Sequence, residues 1–487
     1  MSRPERRELA PGLEISRVLT GLWQVADLER EGPIDIEAAA AAMDAYTAAG
    51  FTTFDMADHY GSAEEIAGAC VSRAPHRDGD MQLLTKWTPA PGPHMPETVR
   101  EAVERSLRRL RADAIDLLQF HAWHYADPSW LDCLFALQEL KDEGLIRHLG
   151  LTNFDAVHLD MVLHTGIDVV SNQVSYSLLD GRAAGAMTEV CLRHGVQLLA
   201  YGTLAGGLLT ERWFDVEDPG ADGVKTWSEM KYRRFVEAAG GWGRLQILLA
   251  AVRAVAQKHG VSMANVAARA ILDRPAVAGV IIGARLGRRE HIADNLRLSS
   301  LKLDAADRKT LAAASGSLDP VPGDCGDEYR RPPYLTAAGD LSDHLDELPS
   351  PYPVRTGTGG RTRVDSGTVW EDIAGYSRAV RTGDRIAVSG TTATHGDRLV
   401  GGDDPASQTH FVIDKIEGAI EALGGRLEDV VRTRIFVPEL ADWEPVARAH
   451  GHRFGGIRPV NTLVQAGLIG SGYRVEIEAD ARVGREP

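Results

Sequence analysis

The chain contains few cysteines. Its 487 residues include only four, and they are scattered along the sequence: Cys70, Cys133, Cys191 and Cys325. Scattered thiols lack the close spacing of metal ligands and suit a reducing compartment. We therefore expect a cytoplasmic protein without a metal site, in which the cysteines pack as small apolar residues.

Basic residues and long apolar runs are also scarce. Lys and Arg number 53 against 69 Asp and Glu, which gives a net charge of -16, and an acidic surface repels phosphate backbones. No apolar run approaches the roughly 20 residues that cross a bilayer. The stretch from Met1 to Leu9 is polar and charged, unlike a signal peptide. We therefore expect no nucleic-acid partner, no membrane partner and no leader sequence.

The chain is too long for one hydrophobic core, so two or more domains are expected. In roughly its first 300 residues, short apolar runs alternate with helical segments, a period that predicts eight strand–helix units. Polar residues stand at or just after the ends of three predicted strands: Asp55, Tyr60, Lys86 and His121. In a parallel array all strand ends lie on one face, so these four side chains are expected to meet.

The motifs Asp55-Met-Ala-Asp-His-Tyr60-Gly61, Thr85-Lys86-Trp87 and Gln119-Phe120-His121 resemble the aldo-keto reductases. The resemblance runs from about Val18 to Leu318. It implies a (β/α)8 TIM barrel, with a hairpin near Leu13 to Val25 that closes the bottom of the barrel.

The resemblance also implies a role for each of the four residues. Tyr60 donates the proton, and the Lys86 ammonium lowers the pKa of the phenol. Asp55 pairs with Lys86, and His121 orients the substrate carbonyl or shares the proton. The competing interpretation is a buried Lys–Asp pair with a purely structural role.

A nicotinamide cofactor is implied by the same resemblance, with NADPH favoured and NADH kept as an alternative. Asn153 and Gln173 correspond to the residues that hold the nicotinamide amide, and Tyr201 to the residue that stacks on its ring. Other positions are expected to border the phosphates and the adenosine: Gly202, Leu204, Gly283, Arg285 and Asn295. Arg285 suits an adenosine 2′-phosphate, although a surface cluster with Arg288 and Arg289 is the competing interpretation.

Aromatic residues follow several predicted strand ends. Trp23, Trp87 and Trp123 are expected to line the substrate pocket, which suits a hydrophobic or planar carbonyl compound. Ordinary anchoring of loops is the alternative.

Residues 319–355 form a proline-punctuated polar stretch, which predicts an inter-domain linker. Within it, Tyr329 to Leu335 is a candidate for contact with the barrel. Residues 1–318 and 356–487 are the two predicted domains.

The second domain has strand and helix patterns of an α+β fold with an antiparallel sheet. Its motifs Tyr376-Ser-Arg-Ala-Val, Val388-Ser-Gly-Thr, Arg458-Pro-Val-Asn-Thr and Val475-Glu-Ile-Glu-Ala resemble the RidA/YjgF family. The resemblance implies a chorismate-mutase-like domain, a homotrimer and a site for imine or enamine substrates between subunits. Asn461 stands where that family carries the arginine that holds the substrate carboxylate, and Glu476 matches its acidic residue.

The sequence therefore predicts an NADPH-dependent reductase of aldehydes or ketones, fused to a trimerising RidA-like domain. One alternative is an NAD(P)-dependent sugar or alcohol dehydrogenase. Another is a cofactor-binding regulatory or scaffold protein in which the tetrad of Asp55, Tyr60, Lys86 and His121 is present but not catalytically active.

Overall fold

The computed structural model describes residues 3–25, 34–73, 81–287, 291–337, 339–341 and 348–484. Eight parallel strands of these residues close into a barrel in the order β10-β3-β4-β5-β6-β7-β8-β9. They are β3 (Val18–Gly21), β4 (Thr53–Asp55), β5 (Gln82–Trp87), β6 (Ile115–Phe120), β7 (Ile146–Thr152), β8 (Val169–Ser175), β9 (Gln197–Tyr201) and β10 (Val277–Gly283). The predicted (β/α)8 barrel is confirmed.

Helices surround the barrel: α1 (Ile36–Ala48), α2 (Ala63–Val71), α3 (Pro96–Leu110), α4 (Ser129–Asp142), α5 (Ala156–His164), α6 (Ala186–His194), α7 (Trp227–Ala238), α8 (Trp242–His259), α9 (Met263–Leu272), α10 (Ile292–Ser300), α11 (Ala305–Ser315) and the short α12 (Asp327–Arg330). Local residues begin several of them. The Asp155 carboxylate accepts the His158 amide proton at the start of α5, and Thr226 forms a capping box with Glu229 at the start of α7. Among the described residues, no helix combines the length and apolar composition that a membrane span requires.

A hairpin closes the bottom of the barrel, as expected, but earlier in the chain. It consists of β1 (Arg6–Ala10) and β2 (Leu13–Ser16), whereas Val18–Gly21 is a barrel strand. Hairpin and barrel share one apolar cluster: Leu9, Leu13, Ile15, Leu84, Leu117 and Leu199. The single turn at Gly12 explains the difference, because it lets the polar stretch before Leu9 pair back as a strand.

Residues 317–337 pack on the barrel, and we call this segment the strap. Within it Cys325, Glu328, Arg330 and Leu335 are buried. This part of the predicted inter-domain linker 319–355 therefore contacts the barrel, and it includes the candidate contact segment Tyr329 to Leu335. The strap holds charged side chains that barrel groups neutralise, so its polar composition does not reflect exposure to water.

The second domain contains a seven-stranded sheet in the order β11-β12-β13-β14-β19-β17-β18. Its strands are β11 (Val354–Thr356), β12 (Thr362–Val364), β13 (Ala379–Thr382), β14 (Arg385–Thr391), β17 (Val430–Val437), β18 (Val460–Gln465) and β19 (Glu476–Arg482), beside the small pair β15 (Thr394–His395) and β16 (Arg398–Leu399). Its helices are α13 (Val369–Ala374), α14 (Pro405–Ala422) and α15 (Trp443–Phe454). The sheet is antiparallel except that β17 and β18 are parallel, because α15 connects these two strands as a crossover.

The two domains contact each other through α5 and α14. At the centre of the contact, His158 lies between two carboxylates, Asp155 at 2.7 Å and Asp414 at 3.0 Å. Arg453 pairs with Asp414 from the other side. This buried set of charges fixes the second domain beside the loops at the carboxyl ends of the barrel strands.

Candidate active site

Asp55, Lys86 and Tyr60 lie together at the carboxyl end of the barrel. The Lys86 ammonium donates to Asp55 Oδ2 and to the Met56 carbonyl, both at 2.8 Å, and it lies 4.9 Å from the centre of the Tyr60 ring. Burial lowers the pKa of Lys86, and the Asp55 carboxylate acts in the opposite direction. The sequence brought these residues to one site correctly, since each follows a parallel strand.

Two glutamines complete the environment of Asp55. Gln119 and Gln173 each donate to Asp55 Oδ1, at 3.2 and 2.7 Å, and Gln173 also donates to Gln119 at 2.8 Å. The carboxylate therefore accepts from three buried donors, which compensates its loss of hydration. Gln119 belongs to the motif Gln119-Phe120-His121, which by itself indicates no role for it. Its inward position in β6 gives it a role as a donor to Asp55.

The Tyr60 ring is held by aromatic edges. Trp23 and His59 each contact it in T-shaped geometry, with ring centres 4.8 Å apart. Burial raises the pKa of Tyr60 well above its ordinary value, with a further contribution from Asp55. The sequence argument predicted a lowered pKa from Lys86, and in this state of the protein that prediction is wrong. Burial and the nearby Asp55 carboxylate both disfavour the phenolate, so Tyr60 stays protonated and able to donate.

His121 is buried with one nitrogen satisfied. Its Nδ1 lies 3.2 Å from the Thr152 carbonyl, while its Nε2 has no partner among the described residues. A carbonyl can only accept, so Nδ1 carries the proton and Nε2 presents a lone pair. Burial lowers the pKa of His121 to about 3, so the ring is neutral. This tautomer suits acceptance of a hydrogen bond from a hydroxyl, which favours proton sharing over donation to a carbonyl.

The structure places Asn153 beside Tyr201. The Tyr201 hydroxyl donates to the side-chain oxygen Oδ1 of Asn153 at 2.7 Å. The main-chain N–H of Asn153 donates to the main-chain carbonyl of Gln173 at 2.8 Å. Asn153 Nδ2 and Gln173 Oε1 have no hydrogen-bond partner among the described side chains. One free donor and one free acceptor fit a carboxamide, and the unpaired His121 Nε2 lies in the same region.

The loop after β9 approaches its surroundings closely. Gly202 has a φ of +68°, and a Cβ there would lie 1.8 Å from the Tyr232 hydroxyl oxygen. Leu204 is half-buried in the same loop. A side chain at this position would therefore collide with Tyr232, so the close packing of the loop requires glycine here.

The predicted adenosine side lies after β10. Gly283 ends that strand, Arg285 follows it with an exposed side chain, and Asn295 is buried on α10. Arg288 and Arg289 lie outside the described residues. The exposed guanidinium of Arg285 is free to meet an anion, and the described residues form no ion pair with it.

The three predicted pocket tryptophans have different positions. Trp23 contacts Tyr60, and Trp123 lies edge-on to His121 with ring centres 4.2 Å apart. Trp87 instead packs on Phe120 and is 5% exposed. The prediction that Trp87 lines the pocket is therefore corrected. Side chains alternate along a strand, so Lys86 points into the barrel and Trp87 points away from it. A small cavity of about 30 Å³ lies between His121, Trp123 and Cys133.

The strap supplies residues to this site that the sequence did not assign. Tyr329 lies 5.8 Å from the His121 ring centre, and its hydroxyl accepts from Lys231 at 2.7 Å. Glu328 pairs with the buried Arg182 at 2.8 Å, and its other carboxylate oxygen lies 3.2 Å from the Tyr201 hydroxyl oxygen. The only sequence pointer was the candidate contact segment from Tyr329, because no periodic pattern marks a packed loop.

The candidate residues of the second domain are not in one cluster. Asn461, exposed on β18, accepts from Thr433 at 3.1 Å. Glu476 begins β19 two strands away, and its carboxylate approaches Gly390. Burial and Glu478 raise the pKa of Glu476. Within one chain, Asn461 and Glu476 are separated by β17.

One group of described residues has metal-ligand chemistry: Asp160, His164 and His194 on α5 and α6, with ligand atoms within 4.8 Å of one another. However, the Asp160 carboxylate already pairs with Arg193 at 2.9 Å and with His194 at 2.7 Å. This arrangement is satisfied as an ion-pair network.

Models of two known families match the chain. The Aldo/keto reductase family matches residues 17–315, and the family described as Endoribonuclease L-PSP matches residues 369–483. The first match covers the barrel, and the second covers most of the second domain.

Individual relatives agree with this division. Aflatoxin B1 aldehyde reductase member 2 of Homo sapiens is 30% identical over 249 residues, which are 48% of this chain and 67% of the relative. The structure of the glycerol dehydrogenase from Gluconobacter oxydans is 24% identical with a TM-score of 0.52 and covers 64% of this chain and 95% of its own. A member of the YjgF/YER057c/UK114 family from Mycobacterium tuberculosis is 47% identical, with a TM-score of 0.24, over 25% of this chain and 99% of its own.

Proposed function

Because the chain belongs to the aldo/keto reductase family and is an NAD(P)H-dependent oxidoreductase with a second domain of the RidA/YjgF family, we propose that it reduces an aldehyde or ketone with NADPH. The observation that carries the proposal is the buried Lys86–Asp55 pair beneath Tyr60, with a Lys86–Asp55 distance of 2.8 Å. Burial of two charges carries a desolvation cost, and the position of this pair beside Tyr60 at the mouth of the barrel favours a functional role over a purely structural one.

The residues would divide the work as follows. Asn153, Gln173 and Tyr201 hold the nicotinamide end of the cofactor, which supplies the hydride when bound. Tyr60, kept protonated by burial, gives its proton to the substrate oxygen. His121 Nε2 accepts a hydrogen bond from a hydroxyl of the site, and Lys86 stabilises the tyrosinate that remains.

The test is a panel of carbonyl compounds assayed with NADPH and NADH, in parallel with Lys86→Met. Oxidation of NADPH by the wild-type chain but not by Lys86→Met is the expected result. A protein that binds NADPH but turns over no carbonyl compound would instead be the regulatory or scaffold protein of the sequence analysis.

A specific observation favours a second candidate, an NAD(P)-dependent dehydrogenase of sugars or other alcohols. The lone pair on His121 Nε2 matches an alcohol hydroxyl, which donates, better than a carbonyl oxygen, which accepts. Initial rates with NADP⁺ and a sugar and alcohol panel, compared with the reductive rates, distinguish the two directions.

For the cofactor, we propose a preference for NADPH based on Arg285. Its exposed side chain follows the last barrel strand, a position at which many barrels bind phosphate, and no described carboxylate neutralises it. A cytoplasmic location follows from the same proposal, since both NADPH and the buried free thiols belong to a reducing compartment.

The second domain is proposed to make the protein a homotrimer. One face of its sheet, on which the described residues place no helix, forms a concavity of about 1040 Å³. Charges of both signs border it and are available for ion pairs with a neighbouring copy of the chain: Arg385, Arg432, Arg434, Glu478, Asp480 and Arg482. The adjoining edge exposes Val460 and Ile469 at 61% and 81%. Light scattering on the full chain tests this, and a monomer at micromolar concentration would refute it.

Imine or enamine handling by this domain is proposed as slow. Asn461 lacks the guanidinium that would hold a carboxylate in bidentate fashion, and Glu476 lies two strands away within the chain, so a complete site needs a second copy. The assay is hydrolysis of an enzymatically generated 2-imino acid. Fast hydrolysis that is unchanged in Asn461→Ala would show that the domain has another site.

A further inference from the structure

Arg330 is a buried cation with carbonyl partners in the barrel. Its guanidinium donates to the Ala122 carbonyl at 3.2 Å, to the Asn153 carbonyl at 2.5 Å and to Cys325 within the strap at 3.4 Å. The side chain is 7% exposed. Arg330 belongs to the strap, so a residue outside the strand–helix units bonds to two of the barrel's catalytic-face loops.

Both barrel carbonyls adjoin proposed site residues. Ala122 directly follows His121, and Asn153 is itself proposed to hold the nicotinamide amide. Asn153 has a φ of +59°, in the left-handed region that non-glycine residues rarely adopt. Its main-chain nitrogen is fixed by the Gln173 carbonyl, and its main-chain oxygen by Arg330.

The strap fits this loop closely. A Cβ on Gly326 would lie 1.9 Å from the Asn153 carbonyl oxygen, and Gly326 has a φ of +84°. The strap backbone therefore touches the carbonyl that Arg330 binds. Contact and hydrogen bond together stabilise the left-handed conformation of Asn153, which asparagine adopts more readily than most other non-glycine residues.

The other side of Arg330 leads to the second domain. The guanidinium lies 4.5 Å from the centre of the Tyr125 ring, and Tyr125 stacks on His158 with ring centres 3.5 Å apart. His158 in turn contacts Asp414 of the second domain at 3.0 Å. Arg330 thus stands between the proposed cofactor site and the domain interface.

We propose that Arg330 is a positioning residue for cofactor binding: by binding the Asn153 carbonyl it aims the Asn153 side-chain amide at the nicotinamide end of the cofactor. This inference rests on the proposed function. A charged donor to a carbonyl forms one of the stronger hydrogen bonds in proteins, and its removal leaves two buried carbonyl oxygens without that partner.

The test uses the full chain and measures NADPH binding by its fluorescence, apart from turnover. Arg330→Met is expected to raise the Kd for NADPH about tenfold or more, while kcat at saturating NADPH falls less than about threefold. Arg331→Met, at an exposed neighbour on the strap, is the matched control and should leave the Kd unchanged. Arg330→Lys, which keeps the charge, should recover part of the lost affinity.

A double-mutant cycle with Asn153→Ala separates positioning from general stability. If Arg330 acts through Asn153, Arg330→Met adds less than about threefold to the Kd in the Asn153→Ala background. An additive loss, or a normal Kd in Arg330→Met, overturns the inference. Failure of the wild-type chain to bind NADPH contradicts the proposed function instead. If Arg330→Met does not fold, Arg330→Lys is carried through the same cycle with the same criteria.

Discussion

Substitution of Tyr60 by phenylalanine tests the proposed proton donor with little structural disturbance. The ring contacts with Trp23 and His59, each 4.8 Å between centres, are available to phenylalanine as well. No described residue forms a hydrogen bond with the Tyr60 hydroxyl. The substitution therefore removes only the proton donor, and we expect the thermal unfolding temperature to change little.

The magnitude follows from the role of a general acid. Such a group contributes about 10²- to 10⁴-fold to the rate, which corresponds to about 2.7–5.5 kcal/mol in the activation free energy at 1.36 kcal/mol per tenfold. NADPH binding should stay within about twofold of wild type, because Asn153, Gln173 and Tyr201 are unchanged.

The assay combines single-turnover reduction at saturating NADPH with a fluorescence titration of the cofactor. The expected pattern is a kcat reduced by at least a hundredfold, in line with the range for general acids, with a normal Kd and a normal unfolding temperature. Near-normal kcat in Tyr60→Phe would refute the assignment of the tetrad. A loss of cofactor affinity equal to the loss of kcat would mean that the hydroxyl serves binding instead.

Three further predictions address other parts of the protein. Arg285→Ala should weaken the binding of NADPH by about 1.5–3 kcal/mol and leave the binding of NADH unchanged. Equal losses of affinity for both cofactors would show that Arg285 does not contact the 2′-phosphate. Burial disfavours the charged form of His158, but its two carboxylate partners outweigh that and raise its pKa to about 9. Relative to the ordinary histidine pKa of about 6.5, this raised pKa stabilises the folded protein by on the order of 3 kcal/mol. The contribution is complete below a pH of about 6.5 and is lost as the pH rises through about 9. Calorimetric unfolding from about pH 6 to 10 measures it, and His158→Gln should flatten the dependence of stability on pH. A chain ending at Leu318 should lose NADPH affinity because it lacks Arg330, and normal titration by that fragment would contradict the role of the strap.

The arrangement of the two domains is compatible with a close structural dependence between them. The second domain is not attached by a free tether: α14 packs on α5, and His158 bridges the interface to Asp414. A homotrimer built on the sheet of the second domain would place three barrels at fixed positions around it.

The strand–helix pattern and the family motifs predicted the barrel and the family of the second domain correctly, and they singled out Asp55, Tyr60, Lys86 and His121 as candidate catalytic residues. The alternation of strands and helices predicts a parallel array. In such an array Asp55, Tyr60, Lys86 and His121 lie on the face at which the strands end. Family resemblance added Asn153 and Tyr201, which the structure places in hydrogen-bond contact at 2.7 Å.

Properties that depend on burial and on contacts between residues distant in sequence could not be read from local patterns. The direction of the Tyr60 pKa shift depends on how fully the phenol is buried, and the outward position of Trp87 depends on where the strand register begins. The strap appeared as a linker because Glu328 and Arg330 are charged, and local composition cannot show that their partners Arg182, Ala122 and Asn153 lie about 150 to 200 residues earlier in the chain. A buried charge requires ion-pair or hydrogen-bond partners, and the partners of Glu328 and Arg330 come close to them only in the folded protein.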